Sequence, residues 1–180
     1  MKGLLPGGLA PGLAAEVALH RRIDSYAETH PAFRASRARV SPPRRRVAGI
    51  MVDLFYDHFM AVHWERFHPE PLPVFAASLY RLLAEEPGVP PTFREMLPRM
   101  RDDDWLSGYR SSERVAGALD RMALHRLRRP NCLAGAGEEL VAHYRGFESD
   151  FLAFAPAAAN HAAALRAARM AENVQVGASR

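Results

Sequence analysis

Residues 47–64 read Val47-Ala48-Gly49-Ile50-Met51-Val52-Asp53-Leu54-Phe55-Tyr56-Asp57-His58-Phe59-Met60-Ala61-Val62-His63-Trp64. At about 100° per residue, the apolar side chains of this run cover nearly the whole circumference of a helix, and a helix that is apolar all round is buried all round. The run therefore predicts an all-α protein with this helix at its centre. Four polar residues sit within it: Asp53, Asp57, His58 and His63. Asp53, Asp57, Met60 and Trp64 share one stripe, because spacings of three and four stack on one helix face. A carboxylate on a buried helix is costly unless it is paired, protonated or bound to metal. Two carboxylates one turn apart also repel. A divalent cation would resolve both problems.

Proline and glycine divide the rest of the chain into further helices. Ser41-Pro42-Pro43 opens the central helix with Ser41 as N-cap, and Pro69 and Pro71 end it near Phe67. Upstream, Pro11 starts a helix to about Glu28, and His30-Pro31 breaks it. A short helix from Pro31 to about Arg39 follows. Downstream, helices are expected from Pro73 to Glu86, Pro90 to Met100 and Ser112 to Leu127, with a turn at Trp105. Asn131 to Gly137 reads as a loop, and Glu138 to Ala171 as helix interrupted near Pro156. No segment alternates like a half-buried strand. Residues 1–180 form one helical domain, with 1–10 an irregular lead-in and 173–180 a frayed tail.

Composition narrows the function. The chain has 180 residues, 48% apolar and 24% charged, which suits one globular domain with its own core. A single cysteine, Cys132, excludes a disulfide framework and a cysteine-rich zinc site. No phosphate-cradling glycine loop and no Gly-x-Ser-x-Gly elbow occurs. No run is long and apolar enough to span a membrane, and the N-terminus makes a poor signal peptide, so a cytoplasmic protein is expected. The net charge of +4 is carried by arginine, since Lys2 is the only lysine. Such a surface suits phosphate or carboxylate groups, on nucleic acid or on an acidic protein. No helix-turn-helix and no basic segment interleaved with aromatics favours nucleic acid.

The first helix repeats the acidic pattern. Leu13, Val17, His20 and Asp24 share a stripe, and His20 and Asp24 are one turn apart. Such a pair is commonly just a local hydrogen bond, and Asp24 has Arg21 as a neighbour on the same helix. If the two helices face one another, however, His20, Asp24, Asp57 and His58 surround one point and offer nitrogen and oxygen ligands to Mn²⁺, Fe²⁺ or Zn²⁺. His63-Trp64 reads as core packing with one hydrogen bond. Cys132 has no signature of a nucleophile around it.

These residues resemble the acyl carrier protein phosphodiesterase family. The likeness is carried by Leu19-His20-Arg21-Arg22-Ile23-Asp24, by Asp53-Leu54-Phe55-Tyr56-Asp57-His58-Phe59 and by His63-Trp64. Leu127-Arg128-Arg129-Pro130-Asn131 and the aromatic helix from His143-Tyr144 through Phe151 and Phe154 extend it over about residues 1–165. The resemblance implies a helical, divergent relative of the HD phosphohydrolases, active in fatty acid biosynthesis. It further implies hydrolysis of holo-acyl carrier protein to the apo form with release of 4′-phosphopantetheine, using a divalent metal, typically Mn²⁺, with Mg²⁺ or Fe²⁺ as alternatives.

On that basis Asp24, Asp57 and His58 are the first candidates for metal ligands, with His20 and Asp53 next. Arg21 and Arg22 would steady the phosphoryl charge, and Asp24 and Asp53 would position water or move protons. Arg44, Arg45 and Arg46, alongside Arg126, Arg128 and Arg129, form either solvated helix ends or a face for the acidic carrier. Family members open with a further helical segment, and Met1-Lys2-Gly3 matches a turn at its end. A chain lacking that segment is expected to expose an apolar face and associate beyond a monomer. It would also hold the carrier without cleaving it if its metal site were incomplete.

Overall fold

The computed structural model describes residues 11–125 and 131–178. The lead-in at 1–10 and the arginines at 126, 128 and 129 lie outside these residues. Among the described residues nine α-helices follow one another: α1 Pro11–Thr29, α2 Pro31–Arg39, α3 Ala48–Val62, α4 Leu72–Glu85, α5 Pro91–Asp102, α6 Trp105–Gly108, α7 Ser112–His125, α8 Gly137–Ala142 and α9 Tyr144–Ala178. Short 3-10 turns at Pro42–Val47 and Trp64–Arg66 flank α3. Among the described residues there is no strand, as the periodicity requires.

The prolines act where the sequence places them. His30 holds an extended backbone, φ −73° and ψ 132°, and its Nδ1 accepts from the Ala32 amide at 3.3 Å, capping α2. Pro42-Pro43 gives a 3-10 turn rather than the start of one long α-helix, so α3 begins at Ala48. Ser41 makes no side-chain cap to that turn. Instead its amide and hydroxyl both donate to the buried Glu139 of α8. Burial alone would raise the Glu139 carboxyl, but the two Ser41 bonds and the Arg44 guanidinium reverse this and lower it. Pro156 does not interrupt α9, which runs unbroken to Ala178 across residues from 173 onward that were expected to fray. The break falls earlier, at His143, where φ −120° and ψ 24° separate α8 from α9.

The core is an aromatic interlock between α3 and α9. Phe55 lies 4.9 Å from Phe147, and Phe59 lies 5.9 Å from Phe151, ring centre to ring centre. Each pair is four residues apart on its own helix, so two ridges mesh. Tyr56, Phe33 and Phe154 continue the cluster toward α2. A polar clasp crosses it: Ser36 donates to Asp150 at 2.9 Å, Arg39 donates to the same oxygen at 3.1 Å, and Tyr56 donates to Ser36 at 3.0 Å. Burial pushes Tyr56 up to about 12, so its hydroxyl keeps the proton it donates. A smaller apolar cluster of Ala76, Tyr80 and Leu97 joins α4 to α5.

Gly137 is where α8 meets α7. A Cβ there would stand 2.7 Å from the Ala116 Cα and closer still to its Cβ. The backbone on both sides is helical and cannot yield cheaply. Gly137→Ala is expected to lower unfolding stability by about 1–3 kcal/mol in a urea titration. Gly49→Ala, whose Cβ meets nothing within 4 Å, should leave stability unchanged or raise it by up to about 1 kcal/mol.

Candidate functional site

With its aromatic side held against α9, α3 turns Asp53 and Asp57 the other way. Both are exposed, and so is Ile50 on the same side. The helix is therefore not buried all round as its composition predicts: one narrow stripe faces water, and the acids lie on it. His20 and Asp24 of α1 stand 3.7 Å apart, with side chains 75% and 60% exposed. The charges of Asp24 and Glu28 reach Asp53 and raise it, while His20 and Arg37 pull it down. Arg37 of α2 is itself ion-paired to Glu28. So charged groups of α1 and α2 act on the acids of α3, and this acidic surface forms the trough.

Each α3 carboxylate reaches solvent on one side and is walled by protein on the others. Burial, then the Asp24 and Glu28 charges, raises Asp53 to about 6. Burial, then the charge of Asp53, raises Asp57 to about 7. Carboxyls in this range exchange protons readily near neutral pH, which suits general acid–base work. Their crowding also makes the trough attractive to a cation. Among the described residues, no three His, Cys, Asp or Glu side chains converge closely enough to hold a metal ion as they stand.

His58 does not join the trough, contrary to its place among the expected metal ligands. It is buried, and its Nδ1 lies 2.8 Å from the Tyr109 carbonyl oxygen. A carbonyl only accepts, so Nδ1 carries the proton. Burial lowers the His58 pKa and keeps the ring neutral. Nε2 then accepts from the Tyr144 hydroxyl at 3.0 Å. Both nitrogens are spent on the packing of α3 against α9 and the end of α6, because position 58 is one residue, about 100°, round from Asp57. His63 makes its single bond to Glu148 at 2.8 Å, as core packing predicts.

Two of the arginines also stand elsewhere than expected. Arg22 is two residues from both His20 and Asp24, which puts it on the opposite side of α1. There it lines a groove against α9 with Arg166 and Arg169, and not the trough. Arg21, half-buried, lies about 60° round from Asp24. Arg44 is not free for a partner. It donates to the carbonyls of Cys132 at 3.0 Å and Ala134 at 3.2 Å, and pairs with Glu139 at 3.1 Å. Arg45 and Arg46 are exposed.

Some members of the site escape the sequence patterns. Glu28 was within reach, since it continues the stripe of His20 and Asp24 by one more turn. Arg37 joins only through the fold. Tyr109 and Tyr144, which hold His58, are 51 and 86 residues from it, and no local spacing signals them.

A pH dependence follows from Asp57. Its carboxyl is raised in the folded chain from 3.8 to about 7, so the native state holds a proton that the unfolded chain releases. The stability this proton confers is present below about pH 4 and is lost as pH rises through 7. In metal-free buffer, Asp57→Asn should therefore raise Tm at pH 8, and the gain should vanish by pH 4, as read by thermal melts across that range.

Comparison with known proteins gives this arrangement a family. A family model described as acyl carrier protein phosphodiesterase matches residues 1–158. An acyl carrier protein phosphodiesterase of Serratia proteamaculans is 32% identical over 158 residues, covering 87% of this chain and 81% of the relative. One from Yersinia enterocolitica is 32% identical over 161 residues, and one from an Enterobacter species 34% over 140. No solved structure matches. The trough residues on α1 and α3 all lie inside the matched span, and the chain belongs to the acyl carrier protein phosphodiesterase family.

Proposed function

We propose that this chain hydrolyses holo-acyl carrier protein, cutting the phosphodiester between the carrier's serine and 4′-phosphopantetheine, with a divalent cation, Mn²⁺ or else Mg²⁺ or Fe²⁺, as cofactor. The observation that carries the proposal is the acidic trough, whose α3 carboxyls are raised by burial and by the acids of α1, all within the matched family span. Asp24, Asp57 and His20 are the side chains that would hold the cation, and they would have to draw together around it, since no three such groups among the described residues converge as they stand. Their oxygen-rich donor set suits these metals, and their mutual repulsion favours occupancy. When bound, the cation supplies polarisation of a phosphoryl oxygen and an activated water.

The chain's own residues do the rest. Asp53, outside that ligand set, holds the proton that the leaving serine oxygen needs. Arg21, beside Asp24, offers a guanidinium to the charge that develops on the phosphoryl group. Arg45 and Arg46 are exposed and in no ion pair among the described residues, and their charge would steer an acidic carrier to this end of α3. A soluble acidic carrier as substrate agrees with a cytoplasmic location. Among the described residues, no helix is long and apolar enough to cross a membrane.

Incubation with holo-carrier and Mn²⁺ should yield a carrier lighter by one phosphopantetheine in intact mass spectrometry, and chelation should stop the reaction. Asp57→Ala should lower kcat by about 100-fold or more while the fold persists by circular dichroism. Full activity in that variant would remove the trough from the mechanism. Carrier binding with no mass change under any of the three metals would mark a protein that holds the carrier without cleaving it. Arg45→Glu with Arg46→Glu should raise KM about tenfold at low salt with kcat unchanged, and the effect should fade as salt rises.

A further inference from the structure

A cavity of about 550 Å³ opens between α5, α6 and α7, on residues that the trough does not use. Its size falls in the range of small-molecule sites. Met96, Trp105, Tyr109 and Met122 supply apolar surface. Unbranched thioethers beside aromatic rings adapt their shape to an apolar body such as an aliphatic chain.

The polar part of the wall is arginine. Arg99, Arg114 and Arg121 all line the cavity, and their charge is only partly met. Arg99 faces Asp103 at 3.6 Å. Arg114 donates to the Asp103 carbonyl at 2.7 Å, which fixes its position but neutralises nothing. Arg121 has no ion pair among the described residues. The remaining lining acid, Glu113, is bonded to Ser111.

The backbone is shaped to hold this arrangement. A Cβ on Gly108 would stand 2.7 Å from Arg114 Nη1, so the glycine leaves room for the guanidinium beside α6. Asp104 adopts the left-handed region, φ 40°, at the turn that sets Trp105 on the wall. It is the one non-glycine residue with positive φ among those described.

We propose that this cavity binds a single-chain anionic amphiphile, with a carboxylate or phosphate head on Arg114 and Arg121 and an aliphatic chain against Met96, Trp105 and Met122. The proposal is independent of the hydrolytic reaction. Titration calorimetry on the full chain, below micelle-forming concentrations, tests it with decanoate, decyl phosphate, decanol, inorganic phosphate and AMP. Decanoate or decyl phosphate should bind saturably at one site, and the tighter of the two identifies the head group. Decanol and inorganic phosphate should bind at least tenfold more weakly. Arg121→Ala should weaken the amphiphile about tenfold. Gly117→Met, which projects a side chain into the cavity from a helical position, should abolish binding while the thermal melt shows a folded protein. Equal binding of decanol, tighter binding of AMP, or unchanged affinity in Arg121→Ala would overturn the assignment, as would the absence of saturable binding.

Discussion

The meshing of Phe55 and Phe59 with Phe147 and Phe151 fixes the rotation of α3, and nearly everything else in the molecule depends on that rotation. Burying one phenylalanine contributes about 1.5–3 kcal/mol, so turning the helix away from α9 forfeits several such contributions at once. A shift of one residue in register would rotate the helix by about 100° and carry both aspartates into the core. The aromatic ridge thus acts at a distance on the trough. It does not touch the acids, yet it decides that they face water rather than α9.

Around this interlock the buried polar groups behave as fasteners. Glu139 gathers Ser41 and Arg44, and Asp150 gathers Ser36 and Arg39. Both join the first third of the chain to the last. Each is worth most when complete, because removing one partner leaves a polar group buried without water. His58 is a third fastener of the same kind, held between a carbonyl and a phenol. Its neutrality fits the role, since a charged ring could not accept the Tyr144 proton.

Much of this was legible in the sequence because helices are local. Prolines and caps mark α1, α2, α4 and α5 to within a residue or two. The stripes of His20 with Asp24 and of Asp53 with Asp57 follow from period alone, and the charge of Asp24 reaches Asp53. What failed was anything that depends on how a helix is rotated against its neighbours. Apolar composition all round α3 hid the narrow exposed stripe. His58 and Arg22 look like site residues by adjacency in sequence, yet one residue or two of offset turns them elsewhere. Arg44 looks like part of a basic patch with Arg45 and Arg46, and only the distant Glu139 shows that it is spent. Pro156 stops a helix by local rules, but packing on both sides of it, from Phe154 and Ala155 to the Tyr26–His161 stack, carries α9 through.

The raised carboxyls of Asp53 and Asp57 have a meaning beyond proton transfer. Along most of α3 the local sequence and the fold agree, its apolar side chains being buried. At these two positions they conflict, and a leucine or alanine at either would fold more easily. In landscape terms the trough is a patch of frustration in an otherwise consistent helix. Frustration of this kind is relieved by whatever occupies the site, and each ligand that neutralises the trough stabilises the native state by mass action. Melting temperature then becomes a reporter of occupancy, so the fold itself can be used to find what the trough prefers to hold.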